Sequence, residues 1–193
     1  MDRRGARHDR YQGRSGATAL VIVDMLNPYE HPEADRLAER VAKALPGVVE
    51  LRDRAEQAEI PVIYVNDNYG DWNSSAQELA EAAMSGEHPE LVEPVLPGEG
   101  HSFVIKARHS VFYETPLEYL LDQMGVDRLI FAGQVTEQCI LYSALDAYVR
   151  HFRVVVPTDA VAAIYDHLAE AAREMMERNL SAELCMAAEC SQE

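Results

Sequence analysis

Three side chains that could support nucleophilic catalysis, Asp24, Lys106 and Cys139, each stand at the end of an apolar run of the sequence or shortly after it. The runs are residues 19–23, 101–106 and 129–132. If each run is a strand of one parallel sheet, the three side chains meet at its carboxyl edge, where open α/β sheets bind ligands. An acid, a cation and a thiol at one edge are the groups that thiol-dependent catalysis requires.

Each of these groups has a distinct role in such a reaction. Cys139 falls in the first turn of a predicted helix, where the helix dipole, unpaired N–H groups and the charge of Lys106 favour the thiolate. Asp24, held ionised by Lys106, accepts the thiol proton and later transfers it to the leaving group. Backbone N–H groups of the turn GQVTEQC are candidates to bind the oxyanion that forms on the attacked carbonyl.

Each residue also has a structural interpretation that remains open at this point. Cys139 is then a small core residue, Asp24 caps a turn, and Lys106 is a solvated charge. Their predicted convergence on one edge of a sheet favours the catalytic interpretation.

From residue 17 onward, short apolar runs alternate with longer amphipathic segments, and this pattern predicts the elements that position the site. Strands are predicted at residues 19–23, 60–65, 101–106, 129–132, 152–156 and 182–186. Helices are predicted at residues 33–57, 74–84, 116–124 and 166–178, and in the segment of Cys139, with an apolar face formed by Ile140, Leu141, Ala144 and Tyr148. Because the strands are apolar on both faces, we expect a doubly wound, three-layer α/β/α sandwich around a parallel sheet.

Three further features of the sequence affect the predicted arrangement of helices and strands. Pro46 predicts a kink or break in the first helix. Residues 86–100, with three prolines, predict a long connection. Residues 17–187 form the predicted single domain, between a mobile basic N-terminal tail (residues 1–16) and a loose C-terminal tail (residues 188–193) that contains Cys190.

Composition excludes several classes of function. The net charge of −16 argues against a nucleic-acid-binding surface. Three cysteines without CxxC spacing do not form a disulfide framework, which favours a reducing compartment. The sequence shows no secretory signal and no apolar segment long enough for a membrane span, so we expect a cytoplasmic protein that does not contact membranes.

Four stretches of the sequence carry a family resemblance. They are VIVDMLNPY, VIYVND, the Lys106 strand followed by SVFYETPLEYLL, and GQVTEQCILYSALDAYVRHFRVVVPTDAVAA. Together they resemble the isochorismatase-like cysteine hydrolases, a superfamily that includes nicotinamidases, N-carbamoylsarcosine amidase and ureidoacrylate amidohydrolases. The resemblance covers residues 17–187.

The resemblance implies a six-stranded, Rossmann-like parallel sheet and a catalytic triad of Asp24, Lys106 and Cys139. It also implies a cis peptide between Gln134 and Val135, so that the N–H groups of Val135 and Cys139 form the oxyanion hole. The implied reaction is hydrolysis of a C–N bond through a thioester or a related acyl-enzyme, without a cofactor.

Two further roles follow from the same resemblance. Thr136 is expected to cap the helix that contains Cys139. Asp159 is expected to be a structural turn residue and not a catalyst.

The sequence departs from the nicotinamidases at their metal site. Those enzymes carry an Asp-x-His pair and a further histidine after the second strand, whereas this chain has NDNYGDWNSS there and no histidine between His31 and His88. Carboxylates and asparagine alone fit such a site poorly. We therefore expect no metal, and nicotinamide is disfavoured as the substrate.

Several other residues are candidates to shape the substrate pocket: Asn27, Tyr29, Trp72 and Phe112. For the aromatic side chains, packing in the core or at a subunit interface is the alternative. Arg108 and His109, beyond the third strand, either contact an anionic substrate or are solvated, and the sequence does not decide between these. Exposed apolar faces of the later helices predict a homo-oligomer.

These observations predict a metal-independent cysteine hydrolase acting on a small amide, carbamoyl or ureido compound. One alternative is a vinyl-ether hydrolase of the isochorismatase type, in which Cys139 is incidental. The other is a non-catalytic binding or scaffold protein on the same fold.

Overall fold

The structure, a computed structural model, describes residues 16–190. The predicted N-terminal tail lies outside this range except for Gly16, as do residues 191–193. None of the helices within residues 16–190 has the length and apolar character needed to cross a bilayer.

A parallel sheet forms the middle layer and confirms the predicted architecture. Its strands are β1 (Ala17–Val23), β2 (Val62–Asp67), β3 (Ser102–Lys106), β4 (Val126–Gln134), β5 (Arg153–Pro157), β6 (Val161–Ala162) and β7 (Glu183–Cys185). The order is β3-β2-β1-β4-β5-β7, and β6 pairs with the end of β4. The sheet therefore has seven strands where six were expected, because the two-residue β6 extends the pairing of β4 beyond the end of β5.

Helices cover both faces of this sheet. They are α1 (Ala34–Gln57), α2 (Ala76–Met84), α3 (Pro89–Val92), α4 (Leu117–Gln123), α5 (Leu141–Val149) and α6 (Asp166–Leu180). Alternate residues of β1 face opposite layers: Leu20 and Ile22 pack with α1, α2 and α3, whereas Val21 and Val23 pack with α4, α5 and α6. This alternation follows from the two-residue period of a strand, and it divides the core into two apolar layers.

Helix α1 continues without a break through Pro46, so the predicted break is wrong. Pro46 is exposed, while Val41, Ala44, Val48 and Leu51 on either side of it are buried against the sheet. Packing of this apolar face supplies more stability than the single backbone hydrogen bond that the proline removes.

The segment predicted as a long connection, residues 86–100, contains helix α3 followed by a 3₁₀ turn at Glu93–Val95. Pro89 occupies the first turn of α3, a position where the missing N–H costs nothing. Leu91, Val92 and Val95 are buried, so the segment is part of the core.

The C-terminal tail prediction is wrong for residues 188–190. A 3₁₀ turn spans Ala187–Glu189, and Cys190 has no exposed surface. The guanidinium of Arg54 donates hydrogen bonds to the carbonyl oxygens of Ala187 and Cys190, at 2.6 and 2.9 Å. These contacts hold the segment against α1.

Near its carboxyl end, β4 approaches β1 closely at Gly133. Its φ angle is 113°, and a Cβ atom there would collide with the backbone of Val23. Only glycine fits this position, because it has no Cβ and tolerates positive φ. The two strand ends that flank the site are therefore held together by a residue without a side chain.

We expect Gly133→Ala to lower the free energy of unfolding by more than about 3 kcal/mol, because backbone strain and a backbone collision add together. The matched control is Gly100→Ala, where φ is 89° and no atom lies within 4 Å of the added Cβ. Urea denaturation of both variants isolates the collision. Equal losses of stability would contradict the close approach.

Candidate active site

The carboxyl ends of β1, β3 and β4 bring the three predicted residues together. The Nζ of Lys106 lies 2.9 Å from Oδ2 of Asp24 and 3.7 Å from Sγ of Cys139. All three side chains are buried, with exposed fractions of 7% for Asp24, 1% for Lys106 and 7% for Cys139. The structural interpretation of Lys106 as a solvated charge is therefore wrong.

Asp24 follows β1 in a left-handed backbone conformation with φ of 54°, which aspartate tolerates better than most residues. Its Oδ1 accepts a hydrogen bond from the Asp67 N–H at 2.8 Å, and its carbonyl oxygen accepts one from the Gln134 side chain. The Asp24 carboxylate is thus held from β2, and its backbone is held from β4.

Asp67 is a fourth member of this cluster that the sequence analysis missed. Strand β2 extends to Asp67, two residues beyond its predicted end, and places that side chain beside β3. Oδ2 of Asp67 lies 3.4 Å from Nζ of Lys106. The motif VIYVND contained the signal, since Asp67 sits at a strand end next to the Lys106 strand.

The charges of this cluster shift one another's pKa values. Burial raises the pKa of Asp24, against the opposing effects of the Lys106 charge and of hydrogen bonds from Cys139, Lys106 and Asp67. Burial acts to lower the pKa of Lys106, but the charges of Asp24, Cys139 and Asp67 outweigh it, and the pKa is raised. A carboxylate more basic than usual is a better acceptor for a thiol proton.

Burial, followed by the charge of Asp24, also raises the pKa of the Cys139 thiol. Lys106 and a hydrogen bond from the Val135 N–H oppose this rise without reversing it. With its pKa raised above the ordinary thiol value, Cys139 is favoured as the protonated thiol at neutral pH, although Lys106 and the Val135 N–H act towards the thiolate. The reason is that the free-energy penalty of removing a thiolate from water exceeds the stabilisation that the helix terminus and the Lys106 ammonium provide.

Cys139 lies in a single π-helical turn, Thr136–Ile140, that precedes α5, and the Gln134–Val135 peptide bond before it is cis. Thr136 does not cap this turn: its hydroxyl donates to the carbonyl oxygen of Ala162 at 3.0 Å. Glu137 Oε1 accepts the N–H groups of Ile164 and Tyr165 at 3.0 and 2.8 Å. Both side chains connect this π turn to the segment before α6.

The apolar face predicted for this helix is only partly correct. Ile140 and Ala144 are buried, but Leu141 is half-buried and Tyr148 is 44% exposed. Ala147 takes the place of Tyr148 in the core. The buried residues Ile140, Ser143, Ala144 and Ala147 follow ordinary α-helical spacing, and Leu141 and Tyr148 lie beside that buried stripe.

Asp159 does serve as a structural residue, since its Oδ1 accepts the Ala187 N–H at 2.7 Å.

A cavity of about 880 Å³ opens over Lys106 at the edge of the sheet. Its lining comprises Asp67, Asn68, Gly70, Asp71, Trp72, Ser74, Ile105, Lys106, Ala107, Arg108, His109, Tyr113 and Glu114. His109 also contacts Cys139, with its Nδ1 atom 3.7 Å from Sγ of that residue. Arg108 and His109, which the sequence left undecided, thus both face the cavity.

Of the predicted pocket residues, Trp72 lines this cavity and is 80% exposed. The other three do not line this cavity. Tyr29 is buried with its ring edge-on to His88, and Phe112 stacks against Phe152 in the core. Asn27 accepts the Tyr29 N–H at 2.8 Å and thereby closes a turn.

The segment after β2 does not fit the metal site of nicotinamidases. Asp67 Oδ1 accepts the Tyr69 N–H, its Oδ2 contacts Lys106, and Asn68 Oδ1 accepts the Gly70 N–H. These oxygens already have partners, and the segment contains no imidazole. Elsewhere in residues 16–190, the fold brings Asp35, Glu87 and His88 within ligand distance of one another at the surface.

Comparison with known proteins places the chain in a family. Residues 18–189 match the model of the Isochorismatase domain. The chain is 36% identical over 166 residues to the uncharacterized isochorismatase family protein YaaI of Bacillus subtilis, covering 86% of this chain and 92% of that protein. It is 30% identical over 168 residues to maleamate amidohydrolase of Pseudomonas putida, covering 79% of each.

A solved structure agrees with these matches. N-carbamoylsarcosine amidase from Thermoplasma acidophilum aligns with a TM-score of 0.71 and 26% identity, over 91% of this chain and 99% of that chain. The matches make the protein a hydrolase with a three-layer α/β/α fold. In particular, the chain belongs to the isochorismatase family.

We expect Lys106→Met to lower the free energy of unfolding by about 3–5 kcal/mol, because it leaves Asp24 buried without its cation. In this variant the pKa of Asp24 rises further above its unfolded value, so the folded state keeps a proton that the unfolded state releases. Stability should then fall as pH rises above about 4, by up to about 1.4 kcal/mol per pH unit. Urea denaturation between pH 4 and 7 measures both effects.

The control for that experiment is Lys43→Met, at an exposed lysine of α1, which should change stability little. Equal stability of the Lys106→Met and wild-type proteins across this pH range would contradict the buried pair.

A second test concerns the protonated thiol. Alkylation of Cys139 by iodoacetamide should accelerate with pH beyond about 8.5, the ordinary thiol pKa, with no plateau between pH 5 and 8. Asp24→Asn should speed labelling at pH 7, since it removes a charge that raises the pKa of Cys139. Peptide mapping by mass spectrometry measures the rate at this cysteine, and a plateau on the acid side would show a resting thiolate instead.

Proposed function

We propose that this protein is a metal-independent cysteine hydrolase that cleaves a C–N bond of a small amide, carbamoyl or ureido compound. The observation that carries the proposal is the position of Lys106, whose buried ammonium contacts both the Asp24 carboxylate and the Cys139 sulfur. One cation that joins an acid and a thiol at the edge of a cavity is an arrangement for activating that thiol.

In the first half-reaction, the substrate carbonyl enters from the cavity and lies against Cys139. Asp24 takes the thiol proton as the sulfur attacks, so no thiolate has to exist beforehand. Lys106 then stabilises the negative charge in transit between the two groups. When the C–N bond breaks, Asp24 returns the proton to the leaving nitrogen, and ammonia or an amine departs from a thioester on Cys139.

The N–H groups of Val135 and Cys139 are the proposed oxyanion hole. The Val135 N–H is directed at the Cys139 sulfur in the resting protein, and the attacked carbonyl oxygen would lie close to that position. Donors fixed by the backbone need no rearrangement as charge develops. Water then hydrolyses the thioester and regenerates the thiol.

The proposed substrate class rests on the relatives and on the size of the cavity. Maleamate amidohydrolase and N-carbamoylsarcosine amidase are both named for small substrates with C–N bonds. A cavity of about 880 Å³ is in the range that accepts small molecules. The residues after β2 do not fit a metal site, so we propose no step that depends on a metal.

A homo-oligomer remains part of the proposal. Helix α5 exposes four apolar side chains: Tyr142, Leu145, Tyr148 and Val149. A face of this kind is typical of a surface that contacts another subunit.

We expect Cys139→Ala to reduce hydrolysis to the uncatalysed background, and Asp24→Asn to reduce kcat by about 100-fold to 10,000-fold. The measurement is ammonia release over a panel of small amides, ureas and carbamoyl amino acids. Cys185→Ala, a half-buried cysteine on β7, is the matched control and should keep full activity.

Two outcomes would point away from this function. Full activity in Cys139→Ala together with loss in Asp24→Asn would show hydrolysis that depends on Asp24 and not on the thiol, as the alternative with an incidental Cys139 supposes. No saturable hydrolysis by the wild-type protein across the panel would favour a non-catalytic role.

A further inference from the structure

We propose that His109 is a second catalytic base, which activates the water that hydrolyses the thioester on Cys139. This inference rests on the proposed function, because it needs an acyl group on that sulfur. It adds a residue to the site and assigns the two half-reactions to two different bases.

The first support is contact with the reacting atom. His109 Nδ1 lies 3.7 Å from Cys139 Sγ, the same distance as Lys106 Nζ, and the ring packs against Tyr142 at an interplanar angle of 47° with centroids 5.5 Å apart. An imidazole beside a nucleophilic sulfur is the usual partner for proton transfer in thiol catalysis.

The second support is that the segment carrying His109 is anchored, although the ring itself is exposed. The neighbouring Ser110 hydroxyl donates a hydrogen bond to the Asp146 carboxylate, and the Val111 N–H donates to Ser143 Oγ at 3.0 Å. Asp146 and Ser143 both belong to α5, the helix that follows the π turn containing Cys139. The backbone that carries the ring is therefore tied to the helix that directly follows the π turn of Cys139.

The third support is the direction from which water arrives. Lys106 and His109 both line the cavity and contact the sulfur, but Lys106 is a cation and cannot accept a proton. Asp24 is 7% exposed and is hydrogen-bonded to Lys106 and to the Asp67 N–H. A water on the cavity side of the sulfur therefore has the imidazole, and not Lys106, as a proton acceptor.

The proton balance of the second half-reaction closes on this one residue. His109 takes a proton from water as the water oxygen bonds to the thioester carbonyl carbon. The tetrahedral intermediate then collapses, the C–S bond breaks, and the imidazolium returns its proton to the sulfur. The products are a carboxylic or carbamic acid and the thiol, and neither Asp24 nor any co-reactant is consumed.

The test uses p-nitrophenyl acetate, an activated ester that acylates thiols without depending on the natural substrate. Released p-nitrophenol reports formation of acetyl-Cys139, and intact-protein mass spectrometry reports its loss. The proteins are wild type, His109→Gln, His167→Gln and Cys139→Ala. His167 is the matched control, because it is an exposed histidine of α6 that also lies beside an aromatic ring, that of Tyr165.

We expect His109→Gln to show a stoichiometric burst of p-nitrophenol and then to retain the acetyl group, with deacetylation at least about 100-fold slower than in wild type. Hydroxylamine, which needs no general base to attack a thioester, should remove the retained group. His167→Gln should behave as wild type.

Other outcomes separate the two proposals. If His109→Gln loses its acetyl group as fast as wild type, or if only its acetylation is slowed, the assignment of His109 is overturned while the cysteine mechanism stands. If Cys139→Ala releases p-nitrophenol as fast as wild type, the proposed function itself is overturned.

Discussion

The buried ammonium of Lys106 is the constraint on which the rest of the site depends. A lysine that is 1% exposed is tolerated only if its charge is compensated nearby, because desolvating a cation without a partner is very costly. Asp24 and Asp67 provide that compensation from the ends of two neighbouring strands. The sulfur of Cys139 completes the surroundings of the ammonium, so the charge that holds three strand ends together also acts on that sulfur.

The fold supplies this cluster through the geometry of its strand ends. Parallel strands β2, β1 and β4 lie side by side, so the residues that follow them emerge at one edge. Gly133 lets β4 approach β1 without a side chain between them, and the π turn then places Cys139 next to β3. Backbone hydrogen bonds from Ile164 and Tyr165 to Glu137 fix this turn from the opposite side. The site is therefore rigid on its buried side and open on the side of the cavity.

Because its pKa is raised, the Cys139 thiol is favoured in its protonated form at rest and must lose its proton before or during nucleophilic attack. Where burial raises the pKa of a cysteine, the thiolate fraction at neutral pH falls, and reagents that depend on the thiolate react more slowly. Membership of the isochorismatase family agrees with hydrolytic chemistry, and two of the proteins compared above are named maleamate amidohydrolase and N-carbamoylsarcosine amidase. The buried side of the site offers a carboxylate for proton transfer, and the cavity side offers an imidazole.

The sequence by itself determined the fold class and the convergence of Asp24, Lys106 and Cys139, because apolar runs define strands and the ends of parallel strands share one edge. It did not determine where each strand stops, and two additional residues of β2 were enough to bring Asp67 beside Lys106. Tertiary packing also decided which aromatic side chains are core: Tyr29 and Phe112 are buried by elements distant in sequence, while Trp72 lines the cavity. The protonation state of Cys139 likewise depends on burial, since the free energy of a charge is set by the solvent and groups around it in three dimensions and not by neighbours along the chain.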